Sequence, residues 1–177
     1  MVDMNVCVFC GASQGDPSHR EKAFELGKMI AKAGHRLVYG GSDLGLMGCL
    51  ARGARQEGGA ITSIIPTFFS LQGIDDPHSD TRIPVESMAI RKDRMVEMSD
   101  LFIALPGGIG TLDEIGDVLT LVSLRRKKAD LVLCDFDGFY SSLRGLLDNM
   151  KAKGYIPSPW IAEPIYAKDL DDIQPLL

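Results

Sequence analysis

Five short apolar runs, partly β-branched, alternate along this chain with longer segments of helical periodicity, and no other feature restricts its fold as strongly. Residues 5–9, 36–39, 60–65, 101–105 and 131–135 are the strand candidates. Their near-continuous apolarity predicts parallel strands buried on both faces rather than strands with one wet face. Residues 18–33 predict the first helix: Pro17 stands near its start, Phe24, Ile30 and Ala31 are among its apolar positions, and Gly34 closes it. Residues 46–56, 88–99, 112–124 and 140–153 predict four more, with Gly58-Gly59 and Gly154 as stop signals. Strands and helices in this order connect by right-handed crossovers. The prediction is therefore an α/β fold of Rossmann-like type, one open parallel sheet with helices on both faces.

A chain of 177 residues is near the size of one ordinary domain, so residues 1–177 are expected to form a single Rossmann-like nucleotide-binding domain. At 45% hydrophobic and 24% charged residues the chain is globular in composition, not disordered. A formal charge of -5 argues against the basic face that nucleic acids require, so any anionic ligand must be held locally. The N-terminal residues carry no signal or transit pattern, and runs such as residues 101–105 are too short to cross a bilayer. A cytoplasmic protein without a membrane partner is expected. Cys7, Cys10, Cys49 and Cys134 form no zinc spacing, and His19, His35 and His78 are far apart, so no metal is expected. Cys7 and Cys10 spell CxxC, but a redox pair should open a helix, whereas these lie in a strand with Gly11 following. They read as core cysteines.

In open parallel sheets the ligand sits beyond the carboxyl ends of the strands, and three loops there are glycine-rich. Their sequences are CGASQG at 10–15, GGSDLGLMG at 40–48 and PGGIGT at 106–111. Glycine lets backbone amides approach an oxyanion, and a following helix adds free N–H groups and the positive end of its dipole. Residues 105–114, LPGGIGTLDE, thus read as a strand-to-helix turn that holds a phosphate. A nicotinamide dinucleotide would need GxGxxG after the first strand and an acid closing the second; both are missing, as is the Walker lysine. The connection 67–80, with Phe68, Phe69 and Leu71, reads either as a lid or interface element or as a loop tucking two phenylalanines into the core edge. Residues 81–85 could add a short strand, and the chain with Pro157, Pro159 and Pro164 is expected to wrap the surface.

Glu114 supports two readings. Thr111-Leu112-Asp113-Glu114 has the pattern of a capping box, in which Glu114 only satisfies an amide at the helix start. The other makes it an acid–base or cation-stabilising carboxylate, which beside a phosphate needs an intervening cation; Arg91 and Lys92, opening the preceding helix, are the source. The basic run 125–128 reads as cations at a helix C-terminus, and Met47, Met88, Met95 and Met98 as core filler.

Taken together, these residues resemble the cytokinin riboside monophosphate phosphoribohydrolases, the "lonely guy" family long labelled as lysine decarboxylases. The resemblance runs from Phe9-Cys10-Gly11 through Val38-Tyr39-Gly40-Gly41 and Gly45-Leu46-Met47-Gly48, then Met88 with Arg91-Lys92, to the stretch 106–114, which fits PGGxGTxxE at every fixed position. It implies hydrolysis of the N-glycosidic bond of an adenosine-type, often N6-modified, nucleoside 5′-monophosphate to free base and ribose 5-phosphate, with no metal or organic cofactor. It places catalysis on Arg91 and Glu114 and nucleotide binding on Met88, Lys92, Gly107, Gly108, Gly110 and Thr111. It also implies a homodimer with the active site near the interface. Where the family usually reads MHERK this chain has Met88-Ala89-Ile90-Arg91-Lys92; Ser42 replaces a glycine, and Leu121 stands where a tryptophan is common. The apolar Ala89 and Ile90 leave the preferred base open and motivate an alternative, a non-catalytic nucleotide-binding or carrier protein of the same fold. Amino-acid decarboxylation would need a Schiff-base lysine for pyridoxal phosphate, and the sequence identifies none.

Overall fold

The computed structural model describes residues 4–177. Seven strands, β1 (Asn5–Phe9), β2 (Arg36–Tyr39), β3 (Ile61–Pro66), β4 (Thr81–Val85), β5 (Leu101–Ala104), β6 (Asp130–Cys134) and β7 (Ile165–Ala167), form one parallel sheet in the order β4-β3-β2-β1-β5-β6-β7. β1 and β2 have the predicted bounds, β5 ends one residue early, and β3 and β6 are each shifted by one residue at both ends. The strand offered at 81–85 forms and pairs with β3. β7 was not predicted: it is three residues long, follows Pro164, and pairs Val132 with Ile165 and Cys134 with Ala167.

Strand order runs outward from β1 in both directions, β2 on one side and β5 on the other. The crevice above the carboxyl ends of β1 and β5 is therefore the topological switch point, where open α/β sheets bind ligands.

The helices are α1 (Pro17–Lys32), α2 (Gly45–Gln56), α3 (Thr67–Ser70), α4 (Met88–Glu97), α5 (Ile109–Ser123) and α6 (Ser141–Ala152). Asp16 caps α1, accepting from the Ser18 amide at 2.8 Å, with Pro17 at the first helical position as predicted. Leu26 and Ile30 of α1 and Leu46 and Leu50 of α2 cover one sheet face, against Val8, Tyr39 and Ile103. Met95 of α4 and Ile115 and Val118 of α5 cover the other, against Phe9, Phe102 and Leu133. Helices thus lie on both faces, and Cys10 and Cys7 are buried on opposite ones. Met95 is core, Met47 and Met98 pack at its edge, and Met88 is exposed.

Three local expectations change. Gly108, not Thr111, is the N-cap of α5, so the helix starts three residues early and Thr111 lies buried inside its first turn. The capping box does not form, because Glu114 is already well inside the helix. The basic residues 125–128 follow the helix instead of ending it: α5 stops at Ser123 and Arg125 takes a left-handed conformation with φ 55°. Phe68 and Phe69 belong to the short α3, their rings 4.5 Å apart and outside both core clusters, so they do not fill the core edge. Among the described residues no helix is long and apolar enough to cross a membrane.

Candidate active site

α4 carries Arg91 inward. Ser87 caps this helix, its hydroxyl accepting from the Ile90 amide at 3.2 Å, and Arg91 follows on the face toward the sheet. Its side chain is buried, Nε donates to the Ile64 carbonyl on β3 at 3.2 Å, and Nη1 lies 3.7 Å from Met88 Sδ. The tip of the guanidinium rests on Gly40, where any Cβ would overlap Nη2. Gly40 reads in sequence as part of a phosphate loop; in the structure it is the seat of an arginine.

Glu114 enters from α5 and is 6% exposed. Burial pushes its carboxyl up to about 7; the charges of Arg91 and Lys92 oppose the rise, while Asp113 and Asp117 add to it. Among the described residues none donates a hydrogen bond to this carboxylate within ordinary range, and Arg91 acts on it through space instead of through a direct ion pair. Such a group can change protonation state near neutrality without breaking a fixed contact.

Lys92 turns to the other side. Its Nζ lies 2.8 Å from Asp113 Oδ2 and 2.7 Å from Asp117 Oδ2, two carboxylates one turn apart on α5. Hydrogen bonds to Asp113 and Asp117 hold its pKa above the ordinary lysine value.

Beyond β5 the chain runs through buried Leu105 and Pro106, and the Tyr140 hydroxyl donates to the Leu105 carbonyl at 2.7 Å. Gly107 is required because a Cβ there would strike the Thr111 side chain, whereas space is open at Gly108 and Gly110. The first amides of α5 have no partner within the helix and form the positive end of its dipole. Beside them lies a cavity of about 290 Å³ lined by Gly11, Ser13, His19, Gly107, Gly108 and Phe139. A larger hollow of about 550 Å³ opens near the amino ends of β5 and β6, between Asp100, Val122, Arg125, Lys128 and Ile161, and none of the site residues lines it.

The three glycine-rich loops therefore divide. The second is committed to structure: the Gly41 carbonyl accepts from the Asp76 amide at 2.7 Å, the Asp43 amide donates to Ile74 at 3.0 Å, and Gly45, at φ 56°, packs on the carbonyls of Ala12 and Ser13. The first and third flank the cavity, to which the second adds only Leu46. Sequence reasoning missed Tyr140, which supports Leu105 from 35 residues away, and His19 and Phe139, which line the cavity from helix and turn positions that carry no motif.

This fold and site define a class: Rossmann-like α/β proteins with a glycine-rich helix start at the switch point and a buried arginine and glutamate on the two helices α4 and α5. Comparison with known proteins narrows the class. Residues 47–174 match the family described as "Possible lysine decarboxylase". A rice (Oryza sativa subsp. japonica) protein, "Probable cytokinin riboside 5'-monophosphate phosphoribohydrolase", is 40% identical over 86% of this chain, which spans 67% of that protein's length. A Rhodococcoides fascians protein, "Cytokinin riboside 5'-monophosphate phosphoribohydrolase", is 36% identical over 94% of this chain and 85% of its own. The chain belongs to this phosphoribohydrolase family, the one that carries the lysine decarboxylase description. Among solved structures, the molybdenum cofactor binding protein of Rippkaea orientalis superposes with a TM-score of 0.76 over 99% of this chain and 96% of its own. At 23% identity that likeness speaks for the fold alone.

Proposed function

We propose that this chain hydrolyses the N-glycosidic bond of adenosine-type nucleoside 5′-monophosphates, with or without an N6 substituent, giving free base and ribose 5-phosphate. The names of its relatives point there, and the observation that carries the reading is Glu114. A buried carboxyl balanced near neutrality, without a fixed donor, lies on the helix that the glycine turn opens and feels the charge of a buried arginine. In this reading the amides from Gly107 to Thr111 hold the phosphate. Arg91 bridges phosphate and ribose, with Met88 beside it, while Lys92, next in the chain, turns to Asp113 and Asp117. As the C1′–N bond breaks, its electron pair leaves with the base and the ribosyl centre turns cationic. The ionised Glu114 stabilises that centre, water adds its hydroxyl to C1′, and the remaining proton ends on the base. Hydrolysis of this kind calls for no metal or organic cofactor.

Residues 1–177 act in this reading as one nucleotide-binding domain in the cytoplasm. Met88, Ile90, Ile109 and Leu112 form exposed apolar surface on α4 and α5 around the site, which supports a homodimer with the active site near its interface. The decarboxylase description fits less well: a Schiff-base lysine must be held neutral, and two carboxylates hold Lys92 cationic.

The test is incubation with AMP and with N6-isopentenyl AMP, followed by chromatography for free base. Release from either supports the proposal, and no base from any purine monophosphate sinks it. Thermal stabilisation by AMP without release would favour the non-catalytic binding protein.

A further inference from the structure

We propose that Lys92 is a positioning residue that ties α4 to α5 through Asp113 and Asp117 and so sets the charge balance around Glu114. Lys92 directly follows Arg91, and Asp113 directly precedes Glu114. The tie therefore sits one residue from each member of the candidate pair. It grips twice, at 2.8 Å to Asp113 and 2.7 Å to Asp117, four positions apart on one helix face. The side chain of Lys92 is only 18% exposed, against 55% for Asp113 and 41% for Asp117, so the lysine is the more enclosed partner of the clamp. One cation against two carboxylates leaves the cluster with a net negative charge. A phosphate approaching Lys92 would meet that charge, whereas the amides of α5 offer it positive potential without competition.

The cluster also has the reach to act on Glu114. The charged and titratable groups facing that carboxyl are Arg91 and Lys92 from α4, Asp113 and Asp117 from its own helix, the Cys7 thiol from the middle of β1, the Cys10 thiol just beyond that strand, and the Tyr140 hydroxyl. Lys92 favours the ionised form and the two aspartates disfavour it. Loss of the cation and loss of an anion must then move Glu114 in opposite directions, which a merely structural brace would not do.

The inference rests on the proposed role of Glu114 for its catalytic meaning, but its test does not need turnover. The full chain is labelled with glutamate carrying carbon-13 at the side-chain carboxyl, Glu114 is assigned by its loss in Glu114→Gln, and the carboxyl is titrated. Relative to wild type, Lys92→Gln is expected to raise the midpoint by about half a unit or more. Asp117→Asn is expected to lower it, and Lys92→Arg to leave it close to wild type. Opposite movements support the proposal; midpoints unmoved, or moved the same way, overturn it. Asp117→Asn keeps the lysine and one carboxylate, so it decides the matter even if Lys92→Gln does not fold. In turnover, the tie predicts that Lys92→Gln lowers kcat with KM for AMP within about threefold. A KM increase of tens of fold with a fixed Glu114 midpoint would make Lys92 a nucleotide ligand and overturn the tie. Absence of any turnover in wild type would defeat the hydrolase reading while leaving the titration to judge the tie.

Discussion

The guanidinium of Arg91 occupies the space into which a side chain at position 40 would grow, since a Cβ on Gly40 would overlap its Nη2. Helix α4 and the end of strand β2 are fitted to one another at this point. In Gly40→Ala the flexible end of Arg91 must swing away, because it yields more easily than the strand. A displacement of about 1 Å in a positioned catalytic group costs on the order of 100-fold in rate. Gly40→Ala is expected to lose about that much in kcat with AMP, while Tm stays within about 3 °C of wild type. Full activity in this variant would remove Arg91 from the chemistry.

Glu114 makes both activity and stability depend on pH. Burial places its carboxyl at about 7, above the ordinary 4.5. Between these values folding takes up a proton. The contribution to stability is therefore fully present below about 4.5 and is lost as pH rises through about 7. The amount lost is on the order of 3 kcal/mol. Glu114→Gln does not titrate, so its Tm at pH 8 should exceed that of wild type by several degrees, and the two should converge near pH 4.5. Catalysis needs the opposite form: kcat/KM should climb with pH to a plateau above about 7. A profile flat from pH 5 to 9 in wild type would remove the carboxylate from the reaction.

Much of this fold was legible because buried parallel strands announce themselves as apolar runs, and β1, β2 and β5 are buried almost throughout. β7 was illegible for the converse reason, since three residues after a proline carry no period. The glycine turn and the candidate pair Arg91 and Glu114 stood out in sequence, yet the start of α5 was misplaced: Thr111 with Glu114 mimics a capping box, while the helix begins at the glycine that can open it. Gly40 reads in sequence as a phosphate-loop glycine rather than as the seat of an arginine, and Asp76 carries no signal, because their partners lie 51 residues away at Arg91 and 21 to 37 residues away at Arg55 and Tyr39. Only the folded chain supplies such pairings.

Glycines in two helices should respond to alanine with opposite signs. On α2 a Cβ at Gly53 would strike the Phe24 carbonyl of α1, and the backbones there cannot separate without opening the packing of Leu26 against Leu50. Overpacking of this kind costs roughly 1–3 kcal/mol, more than the gain of up to about 1 kcal/mol in helix propensity. Gly145 on α6 meets nothing within 4 Å and is exposed, so only the propensity gain applies. Urea unfolding should show Gly53→Ala less stable and Gly145→Ala more stable than wild type. A stabilised Gly53→Ala would contradict the close α1–α2 contact.

Asp76 anchors the connection between β3 and β4. It is fully buried and accepts from the Tyr39 hydroxyl at 2.8 Å, Arg55 Nη2 at 2.6 Å, the Ser79 hydroxyl at 3.2 Å and the His78 amide at 2.9 Å. Burial alone would raise its pKa, but the His78 amide, the Tyr39 hydroxyl, Arg55 and Ser79 outweigh it and leave the carboxyl below the ordinary value of 3.8. Its stabilisation is therefore present above about 3.8 and is lost as pH falls through the lowered value. Asp76→Asn keeps the shape but leaves Arg55, whose Nε is already buried without a partner, facing a neutral amide. Breaking a buried pair from one side costs roughly 3–5 kcal/mol, and the partial exposure of Arg55 puts this case at the lower end. Denaturant unfolding at pH 7 should show that loss, and the gap to wild type should narrow as the pH drops toward 3. The Asp76 amide also donates to the Gly41 carbonyl, next to the seat of Arg91. Loosening this connection should thus lower kcat as well as stability, and an Asp76→Asn variant as stable as wild type at pH 7 would show that the buried charge holds nothing in place.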